Sequence, residues 1–267
     1  MLNFPQIDPV LIHLGPIAIH WYGIAYVVGL LVGWQYAIWI AKRYSPTITK
    51  AHIDDFMMWA LAGIVIGGRL GHILFFELDR YMAHPLEIFM TWKGGMSFHG
   101  GMIGVIIAIL LYCRKNHISI FRFSDILAAI TPLGLGLGRL ANFINGELYG
   151  RVTDVSWGMV FPNGGPFPRH PSQLYEAFFE GLVLLIILHI GWRICAIRDV
   201  PGRLTGIFLL GYGLARTLVE FVRDPDTFYT ILGMDLTTGQ LLSLPMILVG
   251  VCFIWQPKSC REKALCP

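Results

Sequence analysis

The stretch Gly138-Arg139-Leu140-Ala141-Asn142-Phe143-Ile144-Asn145-Gly146-Glu147-Leu148-Tyr149-Gly150 closes an apolar run from Ile126 to Leu137. Such a run belongs in hydrocarbon, where an arginine at its end is costly to place, so Arg139 marks a candidate functional site. Asn142 lies three residues on and shares a helix face with Arg139. Asn145, Glu147 and Arg151 add further polar groups within about two turns. That density fits neither a lipid-facing helix nor a tight turn. It fits the wall of a site that binds something charged.

The rest of the chain sets the solvent. Of 267 residues, 55% are hydrophobic and 14% charged, and the mean hydropathy is +0.61; soluble domains carry about 25% charged residues. The reading is an all-α fold, a polytopic membrane helical bundle forming one integral membrane domain over residues 1–267. The net charge of +3 is small and its basic residues are dispersed, which argues against nucleic acid as a partner. No cleavable signal peptide is evident: the first fifteen residues lack a basic region, and the apolar run behind them continues to about span length.

Apolar runs place helices near 17–41, 54–77, 97–113, 123–143, 174–193, 204–222 and 237–256. Gly67, Gly68, Gly71, Gly134, Gly136 and Gly138 interrupt the second and fourth runs and read as places where helices approach closely. Alternate breaks hold Lys42, Arg43 and Lys50; Arg114, Lys115 and Arg122; Arg193, Arg198 and Arg203; and Lys258, Arg261 and Lys263. The other breaks hold only Arg80, Lys93, Arg151, Arg169 and Arg223. The asymmetry puts the N-terminus outside and the C-terminus in the cytoplasm, with about seven spans and a small extracytoplasmic segment near 144–173. In that topology His20, Tyr22, Arg69, His72, Glu77, Ser97, His99, Arg139, Asn142, Gln173, Tyr175, Glu176, Tyr212, Arg216, Glu220 and Arg223 all fall in the outer half of the bilayer. One polar cavity at the outer leaflet is expected. The five cysteines fall on the other side and read as ordinary small residues of a reducing compartment.

Arg216, Glu220 and Arg223 are spaced i, i+4, i+7 and share one helix face. They read either as an ion-pair ladder or as an anion clamp in which Glu220 orients Arg216. Arginine suits the second task because it stays protonated and offers a planar fork to phosphate oxygens. With Arg139 on another helix, two guanidinium groups grip one phosphate. His99 lies in Gly94-Gly95-Met96-Ser97-Phe98-His99-Gly100-Gly101, where glycines admit close approach of a ligand and the imidazole is able to accept a proton near neutral pH. No H-E-x-x-H motif, paired acidic metal motif or G-x-S-x-G elbow is present. A transporter for anions would show inverted repeats and midplane polar groups, and neither is seen. A lipid-binding scaffold would need no proton acceptor beside the arginines.

The run from Gly138 to Gly150 resembles the signature of bacterial prolipoprotein diacylglyceryl transferases. His20-Trp21-Tyr22-Gly23, the His99 segment, Arg169-His170-Pro171-Ser172-Gln173-Leu174-Tyr175-Glu176 and the stretch from Gly211 through Arg223 resemble further motifs of that family, in order and at fitting spacings. Val152 to Phe167 looks short for the family, and Lys258 to Pro267 has no counterpart in it. The resemblance implies transfer of diacylglyceryl from phosphatidylglycerol to the lipobox cysteine of a prolipoprotein signal peptide, among membrane lipids and without cofactor or metal. It implies a multi-pass protein of the bacterial inner (cytoplasmic) membrane whose active site faces the periplasmic side. It implies catalytic roles for His99, Arg139 and Arg216, and substrate binding by Tyr22, Arg139, Asn142, Asn145, Glu147, Gly150, Tyr212, Arg216, Glu220 and Arg223. His99 is the first candidate for taking the thiol proton, with Tyr22 and Glu147 as alternatives.

Overall fold

Each expected apolar run folds as a helix in the computed structural model, which describes residues 2–255 apart from Pro16, Asp226, Leu232 and Gly233. A short strand β1 (Leu2–Asn3) is followed by a hairpin of β2 (Val10–Leu14) and β3 (Ile17–His20). Then come helices α1 (Trp21–Tyr44), α2 (Lys50–Phe76), the short α3 (Leu78–Ala83), α4 (Phe98–Lys115) and α5 (Ile120–Ile144). Strand β4 (Met159–Val160) pairs in parallel with β1. Helix α6 (Ser172–Arg193) contains a π-helical turn, Ala177–Val183. Helix α7 (Arg203–Val219), a hairpin of β5 (Phe228–Ile231) and β6 (Met234–Thr237), and helix α8 (Thr238–Trp255) complete the described chain. The tail 256–267, with Lys258, Cys260, Arg261, Lys263 and Cys266, lies outside the described residues.

Six of these helices, α1, α2, α4, α5, α6 and α8, are long and apolar enough to cross a membrane. Helix α7, at 17 residues, is about 26 Å long against a hydrocarbon core of about 30 Å. The distribution of side chains is that of a membrane protein. Leu30, Leu61, Leu74, Phe75 and Leu248 are exposed, whereas Asp125, Gln173, Glu176 and Glu180 are wholly buried. The fold is an all-α, multi-pass membrane bundle.

Two boundaries depart from the apolar pattern. Ile17–His20 is a strand and not the start of α1, so His20 precedes the first helix. Gly15 turns the chain at φ +61°, and the β-branched Ile17 and Ile19 suit the return strand. Helix α7 stops at Val219, so Glu220 caps it and Arg223 lies beyond its end.

The chain forms two units, residues 38–124 and residues 1–37 with 125–267. In the first, α2 and α4 meet along glycines. A Cβ on Gly71 would stand 2.6 Å from Gly100 Cα, and one on Gly67 would stand 2.8 Å from Gly104 Cα. In the second, Gly136 of α5 abuts Gly181 of α6, where a Cβ on Gly181 would stand 2.7 Å from Gly136 Cα. These contacts bear out the close-packing reading for Gly67, Gly71 and Gly136, whereas a Cβ on Gly134 or Gly138 would meet nothing within 4 Å. Near the start of α5, the buried Asp125 caps α7. Its carboxylate accepts from Gly202 N at 2.7 Å and from Thr205 N and Oγ1, both at 2.8 Å.

Candidate active site

The centre of the 1–37/125–267 unit is one carboxylate. Glu176 of α6 has no exposed surface, and three arginines converge on it. Its Oε1 accepts from Arg216 of α7 and, at 2.8 Å, from Arg223 just after α7. Its Oε2 lies 3.0 Å from Nε of Arg139 on α5. Arg216 also pairs with Glu220 Oε2 at 3.0 Å, and Arg139 Nη2 lies 3.9 Å from Glu180 Oε2. Burying a charge is costly unless it is paired, and here each guanidinium has a carboxylate partner. The arginines keep a narrow exposed edge, 18% of the side chain for Arg139 and 14% for Arg216. Neither spends all five N–H donors on these carboxylates, so both retain donors for an anion.

Local sequence explains the convergence. The Gly136–Gly181 contact lies within a turn of Arg139 and Glu180, and so draws the charged ends of α5 and α6 together. The π turn begins directly after Glu176, a widened helical turn of the kind often found at functional sites. Gly239, in the first turn of α8, leaves room for Glu220: a Cβ there would stand 2.7 Å from Glu220 Cδ.

The end of α5 forms a second polar corner. Glu147 Oε1 accepts from Asn142 Nδ2 at 2.8 Å and from Asn145 Nδ2 at 3.2 Å. Gly146 ends the helix at φ +66°, and Leu148 follows at φ +58°, a conformation that costs a non-glycine residue about 1–3 kcal/mol. The start of α6 holds that backbone in place. Gln173 Nε2 donates to Glu147 O at 2.5 Å, and Ser172 Oγ donates to Leu148 O at 3.0 Å. Glu147 and Asn145 line an open cavity of about 670 Å³ together with Ala18, Ile19, His20, Tyr22 and Gly23. The Tyr22 hydroxyl shares a hydrogen bond with that of Tyr26 at 3.0 Å.

Gly150 connects the corner to the arginines. It forms an antiparallel bridge with Arg223, its N–H donates to His170 O at 2.8 Å, and Arg151 N donates to Val222 O at 2.9 Å. A Cβ on Gly150 would stand 2.9 Å from that of His170. Only glycine passes between the two segments, and the passage fixes the backbone that carries Arg223. Arg169 ties the same cap together through Gly164 O at 2.8 Å, Gly150 O at 3.1 Å and Asp224 at 3.0 Å. Burial lowers the His170 imidazole from its ordinary range, so its Nδ1 is free to accept from the Tyr175 hydroxyl 3.2 Å away.

Tyr212 is half-buried on α7, one turn before Arg216, with its ring stacked on Phe208 at 6.0 Å. His99 belongs to the 38–124 unit. It is exposed at the second position of α4, behind Ser97, whose hydroxyl accepts from Gly100 N at 3.3 Å. Arg69 has a different task from the arginines gathered on Glu176. It donates to the carbonyls of Glu87, Ile88, Met90, Gly94 and Gly95 at 2.5, 2.9, 3.4, 2.6 and 3.1 Å. All five of its donors are thereby used on the loop that leads into α4, and none is left for an anion.

A family model described as prolipoprotein diacylglyceryl transferase matches residues 9–256. The chain belongs to the prolipoprotein diacylglyceryl transferase family. It is 54% identical to a protein of Rhodospirillum rubrum over 94% of this chain and 92% of the relative. It is 50% identical to one of Agrobacterium fabrum over 99% and 97%, and 50% identical to one of Rickettsia felis over 96% and 98%. All three relatives are named phosphatidylglycerol–prolipoprotein diacylglyceryl transferase.

In this prolipoprotein diacylglyceryl transferase family member, two carboxylates carry more of the site than their sequence context announces. Glu176 is the hub of the arginines and not merely a polar opening to α6, and Glu180 stands behind it with no notice from any motif. The signal available was their spacing, two acids four residues apart inside an apolar run that carries no cation before Arg193.

Proposed function

We propose that this chain transfers the diacylglyceryl group of phosphatidylglycerol to the lipobox cysteine thiol of prolipoproteins, the first step of lipoprotein maturation. The observation that carries the reading is the gathering of Arg139, Arg216 and Arg223 on Glu176, a preformed anion site within a family whose named relatives act on an anionic phospholipid. The cysteine sulfur attacks the glyceryl carbon that bears the phosphate. A thioether forms, the carbon–oxygen bond breaks, and its electron pair leaves on glycerol phosphate. Arg139 and Arg216 bind the phosphate and stabilise the charge that grows on it, while Glu176 and Glu220 hold their guanidinium planes. Tyr22, Asn142, Asn145, Glu147, Tyr212 and Arg223 shape the substrate region, and Gly150 sets Arg223. The nucleophile arrives with the substrate, so the enzyme needs no cysteine of its own. The test is purified protein in phosphatidylglycerol vesicles with a lipobox peptide: release of glycerol phosphate together with thioether-modified peptide is expected. Binding of both substrates with no release would sink the reading.

His99 takes the thiol proton in this proposal. A free thiol has a pKa near ~8.5, so only a few per cent is thiolate at neutral pH and an acceptor speeds the reaction. His99→Asn is expected to lose most activity at neutral pH and to recover part of it as pH rises toward the thiol pKa. A ratio to the parent that stays flat with pH would remove His99 from that role and return Tyr22 and Glu147 as candidates.

The charge asymmetry of the loops supports an N-terminus outside and a C-terminus in the cytoplasm, with α7 as the seventh span and the site open to the outer face of the inner membrane. Single cysteines introduced beside Glu147 or Arg169 are expected to react with a membrane-impermeant maleimide in intact cells, and those beside Lys42 or Arg198 to stay unlabelled. The reverse pattern would invert the topology.

A further inference from the structure

Glu180 is the carboxylate of the arginine cluster that lacks a close guanidinium partner. Its side chain has no exposed surface, and neither carboxyl oxygen accepts a hydrogen bond. The nearest guanidinium contact is Arg139 Nη2 at 3.9 Å, and Arg139 is already committed through Nε to Glu176 at 3.0 Å. Glu176 Oε2 and Glu220 Oε2 also accept no hydrogen bond, but each has a guanidinium nitrogen 3.0 Å away, and Glu176 Oε1 receives Arg216 and Arg223. A buried carboxylate without hydrogen bonds costs several kcal/mol, and such a group sheds its charge by keeping its proton.

Charge balance points the same way. Arg139, Arg216 and Arg223 face Glu176, Glu180 and Glu220. If all six groups were ionised, the cluster would be neutral, and an entering phosphodiester would be an uncompensated anion in a medium of low dielectric. We propose that Glu180 is held as the neutral acid, leaving the cluster one positive charge in excess, matched to the single negative charge of a phosphodiester. This rests on the phosphate-binding reading and deepens it: the site selects a monoanionic lipid headgroup by net charge as well as by donor geometry. Glu180 is a positioning residue in this scheme, because it sets the field of the arginines and touches no reacting atom.

The groups that act on Glu180 are Arg139 from α5, Glu176 from its own helix, Tyr212 and Arg216 from α7, and Arg223 from the turn beyond it. The test compares Glu180→Gln, which carries a permanently neutral side chain of the same shape, with the parent. Both are made in a Tyr212→Phe background, so that the phenol does not titrate. Apparent kcat/KM for phosphatidylglycerol is measured from neutral to alkaline pH in vesicles. Thiol titration is common to both proteins and cancels in their ratio. As pH rises, the parent is expected to lose its excess charge and bind the lipid more weakly while the variant does not. The ratio of variant to parent should therefore climb by at least about tenfold, the effect of one pKa unit of interaction, and the change should lie mainly in KM.

A ratio that stays flat or falls with pH would overturn the proposal, since Glu180 would then act as a carboxylate or as packing. If the variants fail to fold, infrared difference spectra of the parent between neutral and alkaline pH decide the question. A protonated-carboxyl band that disappears supports the neutral acid, and no such band overturns it. Arg216→Gln assayed beside them separates the two readings, because normal turnover in that variant would remove the phosphate site itself whatever Glu180 does.

Discussion

Glu176→Ala is expected to unfold roughly 10 °C below the parent and to lose transfer activity with it. One carboxylate neutralises the near ends of three guanidinium groups, so its removal leaves three buried cations without their shared partner. Removing one partner of a buried ion pair costs about 3–5 kcal/mol, and for a chain of this size each kcal/mol shifts the melting point by roughly 2–4 °C. Glu176→Gln should fall between the two, because the amide still accepts one hydrogen bond through its oxygen. Thermal unfolding in detergent, followed by the peptide transfer assay, checks both parts. Parent-like melting with parent-like turnover in Glu176→Ala would mean that the arginines are anchored elsewhere.

The second large effect belongs to Arg216. Arg216→Gln should lower turnover by at least ~10²-fold, the scale on which loss of one preorganised transition-state donor is felt. Its two carboxylate contacts, to Glu176 and Glu220, hold the guanidinium plane before substrate arrives, so no reorganisation is needed when the phosphate takes up charge. Arg139→Gln should behave alike. Arg69→Gln should not follow this pattern. Arg69 spends its donors on loop carbonyls, so its loss should appear first in the stability of the 85–95 loop. Near-normal turnover in a well-folded Arg216→Gln protein would sink the clamp.

The helices were legible because apolar runs of span length have few other uses, and six of the seven expected runs fold into helices that keep the length a span requires. Gly67, Gly71 and Gly136 were legible for a related reason, since a residue without a side chain inside a span invites contact, whereas Gly134 and Gly138 carry the same signal without a close neighbour. Ile17–His20 was misread because an apolar strand and the first turn of an apolar helix have the same composition; only the Gly15 turn distinguishes them. At the site, the arginines declared themselves by their cost. Their common partner did not, because Glu176 gains its meaning from residues 37 positions earlier and 40 and 47 positions later, which no local pattern links. The π turn was equally invisible, because it has no sequence signature of its own. Gly150 reads from the sequence as a substrate-binding residue and Gly239 carries no signal there; the close approach of Val222 and His170 to the first and of Glu220 to the second is visible only in the fold.

Asp125 has a consequence for how far this chain is able to vary. It ties the start of α5 to the start of α7, and the Arg139–Glu176–Arg216 contacts tie the same two helices again about four turns of α5 further on. Two rods fastened at both ends behave as a vernier, on which a mark is readable only while the two scales keep step. A single residue inserted into α7 between Thr205 and Arg216 would turn everything after it by about 100° and raise it by about 1.5 Å. Arg216 would then stand where Thr217 now stands, turned away from Glu176, although no site residue had been altered. Substitutions along these segments are cheap wherever size and polarity are kept, but insertions and deletions are not, and the spacing between the two fastenings is inherited as a measured length.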